Sequence, residues 1–77
     1  MILKWTTEHT IELTDETYKD MCEDFEEDGI SPTDEDFMQV AWDTVAACAE
    51  VNEDWAALPD AYVSKIAAAV KEYWESR

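Results

Sequence analysis

The chain has 77 residues, a formal net charge of −15 and 47% apolar residues, among them four Trp, three Tyr and two Phe. That length sets one domain near the lower limit for folding on hydrophobic burial alone, and the aromatics exclude a disordered acidic tail, which lacks the large side chains a core needs. The charge excludes nucleic acid and anionic membrane as direct partners and favours basic ones: a nucleic-acid-binding groove, a cationic peptide or metal ions.

Residues 2–13, ILKWTTEHTIEL, place Leu3, Trp5, Ile11 and Leu13 on one side of a period-two alternation. This predicts extended structure, a short hairpin turning around residues 7–9. No Gly, Asn or Asp marks that turn, and so small a ribbon needs helices packed on its apolar side. The segment has no apolar signal-like core, and no run in the chain approaches a membrane span. A reducing cytoplasmic setting is therefore expected, with Cys22 and Cys48 as free thiols.

Thr14 is the expected N-cap of a first helix, which should end near Asp28 because Gly29 stands where a C′ residue belongs. Its sequence, DETYKDMCEDFEED, carries an apolar stripe at Tyr18, Met21, Cys22 and Phe25. With that stripe against a core, about 100° per residue directs Glu16, Asp20, Glu23 and Glu27 straight outward and Asp24 to the flank. Such a row works against the helix that bears it. Like charges four apart (Glu16 with Asp20, Asp20 with Asp24, Glu23 with Glu27, Asp24 with Asp28) each cost about 0.2–0.5 kcal/mol, and only Lys19 offsets them. Glu26, Glu27 and Asp28 also crowd a C-terminal turn where the helix dipole favours a cation. A local stability rule broken without evident structural gain points to function at that place, so the acidic face is read as a binding surface.

A second helix is expected after Pro32, capped by Ser31 or Thr33, with Asp34, Glu35 and Asp36 in its first turn. There each carboxylate stabilises the helix by about 0.3–1 kcal/mol. This helix should run to about Val51 with Phe37, Met38, Ala41, Trp42, Val45, Cys48 and Ala49 as its buried side, and form the spine. Residues 52–54 break the pattern and leave 55–58 as a short turn or loose continuation. Pro59 then opens a third helix at N1, burying Tyr62, Val63, Ile66, Ala67, Val70, Tyr73 and Trp74. The expected fold is mainly α, a three-helix bundle with a short N-terminal β-hairpin, as one domain over residues 1–77.

Catalytic groupings are missing. His9 has no nucleophile near it, Ser31, Ser64 and Ser76 lie in no elbow or triad context, and paired carboxylates need a cleft that raises one pKa. No enzymatic activity and no cofactor are expected. Asp24, Glu26, Asp28, Gly29 and Glu35 fall at positions 1, 3, 5, 6 and 12 of an EF-hand pattern and resemble a single calcium loop. Glu at the third position, Ser31 and Pro32 within the loop and Glu23 before it depart from that family. A capped helix followed by a turn gives the same letters. Size and acidity also resemble acyl carrier proteins, but VAWDTVAAC lacks the serine that would bear a prosthetic group.

Duplex DNA presents one negative charge per about 1.7 Å of axis, and the first helix, with eight acids in fourteen residues, presents one per about 2.6 Å. In size, acidity and carboxylate-lined helix the chain resembles the DNA-mimic inhibitors encoded by phages, several anti-CRISPR proteins among them. The resemblance is compositional, covers residues 8–60 and rests on no motif. It implies an inhibitor in the host cytoplasm that blocks the basic groove of a nucleic-acid-binding protein, such as a CRISPR effector. Glu16, Asp20, Glu23, Asp24, Glu27 and Asp28 would make the contacts, with Asp34, Glu35 and Asp36 secondary. Two other readings stand beside it: an adaptor that binds through an apolar surface, for which Trp55 and Trp74 should be exposed, and surface acids that serve only solubility.

Overall fold

Alternation at the N-terminus folds into an antiparallel ribbon in the computed structural model, which describes residues 1–77. Strands β1 (Ile2–Lys4) and β2 (Thr10–Glu12) pair with Leu3 opposite Ile11, and these two side chains are buried while their strand neighbours face outward. Met1 and Leu13 exchange hydrogen bonds and extend the ladder. The connection takes residues 5–9, wider than the turn expected at 7–9. Thr6 Oγ1 accepts the amides of Glu8 and His9 at 3.2 and 3.1 Å, so a threonine supplies the local hydrogen bonding that Asn or Asp would otherwise provide.

The helix boundaries follow from their caps. Helix α1 (Asp15–Asp28) begins at Thr14, whose side chain accepts the Thr17 amide, and ends at Gly29 with φ 64°. That left-handed conformation carries no Cβ penalty only for glycine. Helix α2 (Asp34–Ala49) opens with a reciprocal capping box between Thr33 and Asp36. It stops before the expected Val51, because Asn52 starts a new turn: its side chain accepts the Asp54 amide at 2.9 Å. Helix α3 (Glu53–Ala56) is therefore a short fourth helix where a loose continuation was expected, and it buries Trp55, with Leu58 just beyond. Helix α4 (Asp60–Glu75) follows Pro59, which is the N-cap rather than the first helical residue, a shift within the ordinary ambiguity of helix ends.

Helices α2 and α4 pack most extensively, α1 lies against both, and α3 joins α2 to the ribbon. All sixteen buried residues are apolar and every element contributes, so none of the carboxylates has left water. Phe25 meets Phe37 and Trp74 edge-on, with ring centroids 5.8 and 5.6 Å apart, and so locks α1 to α2 and α4. No helix is long and apolar enough to cross a membrane.

Two tryptophans lie where the pattern did not put them. Trp42 is 43% exposed. The α2 stripe is narrower than expected and centres on Phe37, Ala41 and Val45, which leaves Trp42 on the flank. Trp55 is only 7% exposed, because the extra helical turn folds it under the bundle. Trp74 is half-buried between Phe25 and the Arg77 guanidinium. The exposed surface that an adaptor would need at Trp55 and Trp74 is not present there.

Candidate binding surface on the first two helices

Burial of Tyr18, Met21, Cys22 and Phe25 fixes the rotation of α1. Glu16, Asp20, Glu23 and Glu27 consequently share one outward side, and Asp24 and Asp28 are exposed beside them. Asp20, Glu23, Glu26 and Glu27 border a depression with Lys19 and without a single apolar lining residue.

Lys19 is the only cation on α1, but it is not the only one that offsets its acids. Arg77 forms an ion pair with Glu26 while its guanidinium lies 4.2 Å from the Trp74 ring centroid. α1 has no basic residue in its last turn, and the cation its dipole favours there arrives from the far end of the chain. Glu26 thus has a structural partner, whereas the outward row has none.

The secondary trio divides. Asp34 accepts from Lys71 Nζ at 2.8 Å, and that hydrogen bond raises the Lys71 pKa above its ordinary value. Asp34 belongs to a hollow between α2 and α4, together with Phe37, Met38 and Lys71. Asp36 is engaged in the capping box, accepting the Thr33 amide at 2.9 Å. Glu35 is exposed and makes no side-chain hydrogen bond or ion pair. Helix-start chemistry and one surface ion pair thus explain Asp34 and Asp36 without a partner.

Asp43, which the sequence pattern does not single out, joins the surface. It lies on α2 across a groove from Asp20, with Thr17 and Met21 on one wall and Thr44, Ala47 and Cys48 on the other. Period and charge place Asp43 on an outer side of α2, but which flank meets α1 is decided only by packing.

The remaining reactive groups are quiet. Burial pushes the Cys22 thiol up, with Arg77 opposing and Glu26 adding to the shift; burial also raises Cys48. Tyr18 is raised by burial and then by Asp15 and Glu72. All three are held in their neutral forms, the reverse of nucleophile activation. His9 Nδ1 lies 3.0 Å from Asp54 Oδ1 and its ring stacks on Trp5 at 5.5 Å, so it fastens the hairpin loop to α3. The two cysteines are free.

The calcium alternative loses its loop. α1 remains helical through Asp28, so Asp24, Glu26 and Asp28 fan around a helix instead of lining a turn. No three His, Cys, Asp or Glu side chains converge in a metal-holding group. No protein-family model matches this chain, and neither a curated protein nor a solved structure matches it.

Proposed function

We propose that this protein is an inhibitor that imitates the charge of nucleic acid and blocks the basic groove of a host nucleic-acid-binding protein, such as a CRISPR effector complex. One observation carries this reading: Glu16, Asp20, Glu23 and Glu27 stand exposed in a single outward row for which the protein supplies no ion-pair partner. α1 spans about 21 Å, over which duplex DNA presents about twelve charges; the helix carries eight, of which all but Glu26 are free of an ion pair within the protein. Carboxylates so spaced can take the arginine and lysine positions that phosphates would occupy, displace counterions and exclude the polyanion. The ring contacts of Phe25 and the Arg77–Glu26 ion pair anchor the α1 backbone to the rest of the bundle, so the helix that carries the row need not be ordered on binding.

The test is capture of a basic protein from host lysate across a salt gradient. Binding should weaken steeply with salt, and Asp20→Lys/Glu23→Lys/Glu27→Lys should abolish it while circular dichroism keeps its helical form. Undiminished capture by the triple variant removes the acidic face as the site. A second reading, the adaptor, is favoured by the exposure of Trp42, the one tryptophan at the surface. It predicts capture that survives high salt and is lost on Trp42→Ala.

A further inference from the structure

The α1–α2 groove has a composition that the outward row lacks. Its floor and walls are apolar or weakly polar, with Met21 buried, Cys48, Thr17 and Thr44 half-buried and Ala47 at the mouth, and its volume is about 380 Å³. An exposed carboxylate stands on each side, Asp20 from α1 and Asp43 from α2. Neither meets a cation of this protein, whose ion pairs use Asp54, Asp34 and Glu26. Asp43 is held in place by Gln39, whose Nε2 donates to Oδ1 at 3.0 Å, which leaves its second oxygen free.

We propose that this groove is a socket for one arginine side chain of the partner, its methylenes over Met21 and Ala47 and its guanidinium between Asp20 and Asp43. The inference rests on the charge-mimic reading and specifies how the partner is recognised. Arginine carries an apolar stem and a planar fork that suits carboxylates on two walls. A purely apolar occupant would desolvate both acids without compensating them. The row on α1 supplies sequence-independent attraction, while the groove demands a guanidinium at one place.

The probe is a hexa-arginine peptide titrated into the 15N-labelled protein at 150 mM salt. Amide shifts should centre on Thr17, Met21, Thr44, Ala47 and Cys48. Ala47→Trp fills the groove without altering charge and should weaken binding at least tenfold. Ala47→Leu, a smaller filler at the same exposed position, should weaken it less, and dispersed spectra verify that both variants fold. Glu23→Lys/Glu27→Lys alters only the row and should weaken binding as well. Wild-type affinity in both groove variants together with loss in the row variant would overturn the socket and leave the mimic reading standing. Wild-type affinity in all three would overturn both.

Discussion

Replacing Asp20 by lysine should make this protein more stable and, at the same time, a poorer binder. Asp20 is exposed on α1, four residues after Glu16 and four before Asp24, so it belongs to two like-charge pairs. Each pair costs about 0.2–0.5 kcal/mol and an opposite-charge pair at that spacing gains about as much, so reversing both shifts stability by about 0.8–2 kcal/mol. Lysine also favours a helix over aspartate by a few tenths of a kcal/mol, and the net charge falls in magnitude from −15 to −13 (−15 + 2). No buried group is disturbed, since the core contains only apolar side chains. For a domain of this size the change corresponds to a rise in Tm of roughly 3–16 °C. Thermal melts by circular dichroism at 20 mM and 500 mM salt should show the gain and its reduction under screening. A lower Tm in the variant, or a gain indifferent to salt, would refute the claim that the row is held against the stability of its own helix.

Arg77→Ala removes a partly exposed ion pair to Glu26 and a cation from the Trp74 face, together about 1 kcal/mol; an unchanged urea midpoint would contradict that role. Trp55→Ala should cost about 3–5 kcal/mol, enough to collapse NMR dispersion at 25 °C in so small a domain, whereas a native-like spectrum would show that Trp55 is dispensable. Alkaline pH should destabilise the fold. Tyr18, Cys22 and Cys48 are raised by burial from ordinary values of 10.0, 9.0 and 9.0, and Lys71 is raised from 10.5 by Asp34. A group with a raised folded-state pKa contributes fully below its unfolded value and loses that contribution as pH rises through the folded one. Tm should therefore hold between pH 7 and 8 and fall above about pH 9; a rising Tm there would reverse the sign.

What could be read from the chain is what depends on neighbours within a turn or two. The stripe at Tyr18, Met21, Cys22 and Phe25 is buried as its spacing requires, and from it follows the direction of the acid row. Thr14, Gly29 and Thr33 act where cap chemistry puts them. The signal for α3 was also local, since Asn52 with Asp54 is a cap pair, but a four-residue helix has too little periodicity to announce itself. Trp42 went astray because the width of a buried stripe depends on how many neighbours a helix has, and α2 packs in a way that leaves its flank open. The ties of Arg77 to Glu26 and Lys71 to Asp34, and the facing of Asp20 and Asp43 across a groove, join residues far apart in the chain. No window along the sequence contains both members.

A ribbon of two three-residue strands is marginal by itself, so β1 and β2 persist only once α3 and α4 are there to receive them. The fastenings that do so, His9 to Asp54 and Tyr62 Oη to the Lys4 carbonyl, span 45 and 58 residues, long loops to close compared with the short connections between successive helices. The helices can therefore condense before the ribbon docks, and the ribbon can peel away while they stay folded. Amide protons of Leu3 and Ile11 should accordingly exchange through such partial openings, faster than those of Val63 and Ile66 in the middle of the molecule.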